Sequence, residues 1–178
     1  MNKLFLSADV FQLECARLAR LVFDDDWKPD LLLPLWRGGA FPGVVMSEIL
    51  AFLGRPTAHR VVQCASYTGI GEQADTVAFT PESEAFLKSI PSGLRVLAVD
   101  DVFDSGRTAE AVLKRLPQAD VRTAMVYWKP MAAKVPLRPD YYVTQTNEWI
   151  VFPHELAGLT DDELTAKDPE LRDILRRP

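Results

Sequence analysis

The stretch from Val96 to Thr108 constrains this chain more than any other. Four consecutive apolar residues, Val96 to Val99, suit a strand buried on both faces, as in a parallel sheet covered by helices. That strand delivers two carboxylates, Asp100 and Asp101, to its carboxyl end. In open α/β sheets this is the edge where ligands bind. The small-residue loop Asp104-Ser105-Gly106-Arg107 follows and feeds a helix from Thr108 to about Leu116. Main-chain N–H groups at such a helix start, with the positive end of its dipole, cradle an anion. Ser105 and Thr108 add hydroxyl donors, and Gly106 lets the backbone approach closely. Carboxylates accept hydrogen bonds from vicinal hydroxyls while the loop takes a phosphate. A sugar phosphate answers both features. A nucleoside triphosphate site would call for a GxxxxGK lysine, which this loop lacks.

The rest of the chain supplies strands and helices in alternation. A helix is expected from Ser7, with Val10, Leu13, Cys15, Leu18, Leu21 and Val22 at helical spacing. Leu31 to Leu33 read as a buried strand, broken by Arg37-Gly38-Gly39. A helix from about Pro42 to Leu53 follows, with Gly54 as its stop. Arg60 to Ala65 read as a strand, residues 67 to 80 as a mobile loop and Glu82 to Ser89 as a short helix. Arg95 to Val99, Val121 to Tyr127 and Tyr141 to Thr144 complete the strands. The alternation predicts an α/β fold: a mostly parallel twisted sheet flanked by helices, with a small hood. Beyond residue 158, Thr160 with Glu163 forms a capping box, and Asp168-Pro169 opens a second helix start. The expected organisation is therefore one domain over residues 1–158 and a helical tail over 159–178.

Residues 96–108 resemble the signature motif of type I phosphoribosyltransferases: an apolar run, two acids, two variable residues, Asp, Thr or Ser, Gly, any residue, Thr. Ser105 fills the Thr/Ser slot. The resemblance implies that Asp100 and Asp101 hold the ribose hydroxyls of phosphoribosyl pyrophosphate and an associated Mg²⁺, directly or through water. It implies that Asp104, Ser105, Gly106, Arg107 and Thr108 hold the 5′-phosphate. Pro34 to Gly39 is similar to the family's pyrophosphate loop, which tends to carry a cis peptide. Arg37 offers it a planar fork. Ser66 and Tyr67, with the loop to Thr80, resemble the flexible hood that closes over pyrophosphate. Residues 69–74 also match GxGxxG/A, but no apolar helix pattern follows, so no dinucleotide site is expected.

Lys129 and Trp149 fall in the slots where the purine branch meets an exocyclic oxygen of the base and stacks on its ring. Main chain near Ile150 would read the ring edge. The resemblance, which spans roughly residues 31–153, implies transfer of a phosphoribosyl group to a purine, with hypoxanthine, guanine and xanthine all open. Asp104 would be the catalytic group that takes the proton from the base. A sensor of phosphoribosyl pyrophosphate and a transferase for a non-purine base remain as alternatives. The family implies a homodimer or homotetramer.

Composition narrows the field further. The net charge of -5 argues against a non-specific nucleic-acid partner, which needs a cationic face. No apolar run approaches the roughly 20 residues of a membrane span, and Met1 to Leu6 is too short and broken for a signal peptide. Cys15 and Cys64 lack metal-ligand spacing and read as buried free thiols. A cytoplasmic setting is expected.

Overall fold

The structure is a computed structural model that describes residues 3–69 and 72–176, with the backbone alone over 65–76. Nine strands and six helices follow the chain among the described residues: β1 Lys3–Phe5, α1 Ala8–Asp24, β2 Leu31–Trp36, α2 Ala40–Phe52, β3 Ala58–His59, β4 Val62–Gly69, β5 Glu72–Phe79, α3 Pro81–Ser89, β6 Arg95–Phe103, α4 Arg107–Arg115, β7 Asp120–Trp128, β8 Tyr141–Gln145, β9 Trp149–Val151, α5 Asp161–Lys167 and α6 Pro169–Leu175. They fall into two compact units. The larger runs from Glu14 to Asn147; the smaller combines Met1–Leu13 with Glu148–Pro178.

In the larger unit the strands form one sheet in the order β5-β4-β2-β6-β7-β8, with β3 also against β2. Every pairing is parallel except β4 with β5. The continuous apolar runs explain this. Leu31, Leu33, Leu35, Val96 and Ala98 pack with Leu87 of α3 and with Val112 and Leu116 of α4. The alternate residues Leu32, Leu97 and Val99 are equally buried. On that second face Gly43 brings α2 onto Pro34: a Cβ at Gly43 would lie 2.4 Å from the proline ring. Helices thus cover both faces, and the carboxyl ends of β2, β6 and β7 point to one edge.

Several boundaries differ from expectation. β6 runs on through Asp100 and Asp101 to Phe103, because β7 pairs with it as far as Phe103↔Trp128. The acid pair is therefore inside the strand rather than after it. The stretch read as a mobile loop over 67–80 is largely an antiparallel hairpin. Cys64↔Phe79 and Ser66↔Val77 are in register, with an irregularity before Thr68↔Gln73. Pairing with β4 supplies what weak local periodicity did not, a strand partner for residues 72–79. Ile70 and Gly71 lie outside the described residues.

The smaller unit pairs β1 with β9 in parallel, Lys3↔Trp149 to Phe5↔Val151. Both of those strands are too short for a periodic signal. The expected tail helices are present. Thr160 and Glu163 make the reciprocal capping box, and Asp168 caps α6. Among the described residues, no helix is long and apolar enough to cross a membrane.

Candidate active site

The loop after β2 packs against β6 near its carboxyl end. Asp101 is buried, and its carboxylate packs against the Cα of Gly38; a Cβ there would lie 2.4 Å from Asp101 Oδ1. A Cβ at Gly39 would lie 2.1 Å from the main-chain oxygen of Val99. No other residue type permits that approach, which is the physical reason for two adjacent glycines. The peptide between Trp36 and Arg37 is cis. Arg37 is exposed beside this contact.

The acid pair is electrostatically crowded. Burial pushes the Asp100 carboxyl well above the usual carboxylate range, and the charge of Asp101 adds to the effect. The main-chain N–H of Asp101, which donates to Asp100 Oδ1 at 3.0 Å, pulls the other way. Each cysteine faces one of these acids. Burial raises both thiols to about 12, helped by Asp101 at Cys15 and by Asp100 at Cys64. Both thiols are free, Cys15 buried and Cys64 partly so.

The turn after β6 is the one expected from sequence to cradle an anion. Gly106 has φ of 78°, the left-handed region, and caps α4. A Cβ there would meet Val135 Cγ2 at 2.4 Å and the Phe103 ring at 2.6 Å. Arg107 N donates to Ser105 Oγ at 3.5 Å, and Lys134 N donates to Ser105 O at 2.9 Å. Thr108 stands in the first turn of α4. Asp104 is half exposed at the loop's start. Lys129 follows β7 directly; its main-chain N donates to Phe103 O at 2.9 Å, and its buried ammonium lies 3.2 Å from Asp104 Oδ2.

Arg37 to Gly39, Asp100, Asp101, Asp104 to Thr108 and Lys129 therefore share one edge of the sheet. Ser66 and Tyr67 are carried on β4 beyond its last pairing with β2, Trp36↔Gln63. Trp149 and Ile150 stand on β9 in the smaller unit, Trp149 half exposed and Ile150 buried. The supporting roles of Val135 and Lys134 were not read from sequence. The irregular length of residues 129–140 was the available signal, since long connections in compact domains tend to carry function.

Comparison with known proteins agrees with this geometry. Over 125 residues the chain is 33% identical to a xanthine-guanine phosphoribosyltransferase of Cereibacter sphaeroides; the match spans 68% of this chain and 66% of that enzyme, just under two thirds. A purine phosphoribosyltransferase from Pyrococcus horikoshii Ot3 superposes with a TM-score of 0.68 at 29% identity, over 90% of this chain and 98% of that one. A protein from Neisseria gonorrhoeae with bound ppGpp shares the fold alone, with a TM-score of 0.70 at 22% identity, over 95% and 97% of the two chains. The phosphoribosyl transferase domain matches residues 6–158. With an acid pair in β6 and a glycine loop after β2 at one edge of its parallel sheet, and with residues 6–158 matched, this chain belongs to the phosphoribosyl transferase domain family.

Proposed function

We propose that this protein transfers the 5-phosphoribosyl group from phosphoribosyl pyrophosphate to a purine base, releasing pyrophosphate, in purine salvage in the cytoplasm. The observation that carries this reading is the packing of the Asp101 carboxylate on Gly38. It sets a hydroxyl-binding acid pair directly beside a loop suited to pyrophosphate, with the cradle of Ser105 and Gly106 at the end of the same strand. One ligand with a ribose between two phosphate groups meets all three.

In the reaction a ring nitrogen of the base forms a bond to the anomeric carbon as the bond to the pyrophosphate oxygen breaks. Asp104 accepts the proton that the base loses. Arg37 pairs with the departing pyrophosphate. Ser105 to Thr108 hold the 5′-phosphate, and Ser66 and Tyr67 lie on the arm that approaches pyrophosphate. Lys129 donates to an exocyclic oxygen, Trp149 stacks on the ring, and the main chain at Ile150 reads its edge. Holding two substrates in line supplies much of the rate.

The residues fit Mg²⁺. Asp100 and Asp101 are adjacent carboxyls, and burial raises the cost of charge at Asp100, with the Asp101 charge adding to it. Among the described residues no three metal-binding side chains converge. Asp100 and Asp101 would therefore hold the ion together with water and substrate oxygens, as Mg²⁺ prefers. When bound, the ion offsets charge on the pyrophosphate.

Copies of this chain would associate through α2. Phe41, Val44 and Phe52 are exposed on it, Phe52 by 90%, and Glu48 is its single charge. A nearly uncharged apolar face is self-complementary across a two-fold axis, so a second copy is its fitting occupant.

A steady-state assay of the protein with Mg²⁺, phosphoribosyl pyrophosphate and a panel of bases tests the reading. Turnover with an oxopurine is expected. Tight phosphoribosyl pyrophosphate binding without turnover on any base would make the protein a sensor, and turnover confined to a non-purine would reassign the base site.

A further inference from the structure

Helix α5 lies beyond the matched residues 6–158, yet both of its ends are tied to β9 and its flanking chain. At its start Glu163 pairs with Lys3, the residue in register with Trp149 on the adjoining strand. The other oxygen of Glu163 accepts from Thr160 N at 3.1 Å, so the capping box orients this contact. At its end Lys167 could favour the carbonyls of its own last turn, where the helix dipole draws cations. Its Nζ instead donates to Phe152 O at 2.6 Å and to Glu155 O at 2.5 Å. Those carbonyls bracket the turn that follows β9.

That turn is closed from several sides. Glu155 N donates to Phe152 O at 3.0 Å, and Phe152 N donates to Glu155 Oε2 at 3.2 Å. The buried Phe152 ring lies 5.2 Å from Phe11 and stacks on His154 at 5.5 Å. Burial holds the Lys167 ammonium below the usual lysine range. Removing it would take one of two donors from Phe152 O and the Lys167 donor from Glu155 O.

We infer that α5 is a positioning element of the base site, with Glu163 and Lys167 bracing β9 so that Trp149 is presented to the purine in one orientation. The inference rests on the reading of Trp149 as the stacking residue. The hydrogen bonds Lys167 donates among the described residues go to main-chain oxygens, so it acts on the base through β9.

The test compares Lys167→Met, Lys167→Arg and a chain ending at Gly158 with wild type. Each is assayed for KM of the base, KM of phosphoribosyl pyrophosphate and kcat, with Trp149→Ala as reference. Lys167→Met and the shortened chain should raise the base KM about tenfold, the typical cost of one lost charge-assisted hydrogen bond. The phosphoribosyl pyrophosphate KM should stay within about twofold, because its proposed ligands lie on other elements; Lys167→Arg, which keeps a cationic donor, should recover most of the loss. If Trp149→Ala raises the base KM while Lys167→Met and the shortened chain do not, the bracing role is wrong and the stacking role stands. If Trp149→Ala itself leaves the base KM unchanged, the stacking reading falls and this inference with it. Equal loss of both substrates in every variant would make α5 a general support of the fold and overturn the role proposed.

Discussion

Lys129 Nζ and Asp104 Oδ2 lie 3.2 Å apart, the lysine side chain 9% exposed and the aspartate 49%. One partner of the pair is anchored in the protein and the other reaches solvent. The carboxylate proposed to take a proton from the base therefore sits beside the ammonium proposed to meet its exocyclic oxygen. A base entering there would exchange one interaction of each residue for one with itself. Truncating Asp104 would take a carboxylate away from a buried cation, which is costly. Asp104→Asn keeps the shape and an accepting oxygen, so the protein should fold. Turnover should fall by about 10²–10⁴, with phosphoribosyl pyrophosphate affinity within a few-fold of wild type. Single-turnover rates beside calorimetric affinity separate the two effects.

Asp100 carries a consequence for stability. Its carboxyl is raised in the folded protein, so the folded state binds its proton more tightly than the unfolded chain. The stability it contributes is fully present below the unfolded value of 3.8 and is lost as pH rises through the folded value. Asp100→Asn should accordingly raise the melting temperature of the ligand-free protein at pH 7, by roughly 2–4 °C for each kcal/mol recovered. At pH 3 the two proteins should melt together. Replacing both Asp100 and Asp101 by Asn should abolish tight phosphoribosyl pyrophosphate binding while the fold persists. Calorimetry across pH, with and without ligand, reads both effects.

Gly38 and Gly106 test the site without removing a charged group. A methyl at Gly38 would sit 2.4 Å from Asp101 Oδ1 and must displace that carboxylate. Gly38→Ala should weaken phosphoribosyl pyrophosphate binding at least tenfold (about 1.4 kcal/mol) with little change in folding. Gly106→Ala forces a side chain into the left-handed region, at roughly 1–2 kcal/mol, and drives it into Val135 and Phe103. It should lower both stability and affinity. Denaturant titration beside ligand titration distinguishes the two variants.

The exposed side of α2 predicts the assembly. Phe52→Ser combined with Val44→Ser should shift sedimentation from the dimer or a higher species to the monomer and leave the secondary structure unchanged. A monomeric wild type would remove the α2 face as an interface.

The hairpin of β4 and β5 bears on closure. Mg²⁺ with phosphoribosyl pyrophosphate should slow proteolysis between residues 67 and 80 if the arm covers pyrophosphate. Equal cleavage rates with and without ligand would exclude that role.

By itself the sequence determined the parallel sheet and the edge at which the site stands. Val96 to Val99 and Leu31 to Leu33 are too uniformly apolar for any strand with a wet face, and the acids, glycines and hydroxyls that follow them mark the carboxyl edge where such sheets bind ligands. It also determined the tail caps, because Thr160 with Glu163 and Asp168 with Leu171 are contacts made within one turn. Tertiary structure decided everything that depends on residues far apart in the chain. Pairing with β7 carried β6 through the acid pair, and pairing with β4 made a strand of residues 72–79. Only packing placed Asp101 on Gly38, 63 positions away in the chain, and only the path of residues 129–140 brought Val135 under Gly106. Lys129 next to Asp104 and Lys167 on the turn after β9 belong to the same class. Local patterning encodes which face of an element is buried; the partner that buries it is chosen by the whole chain.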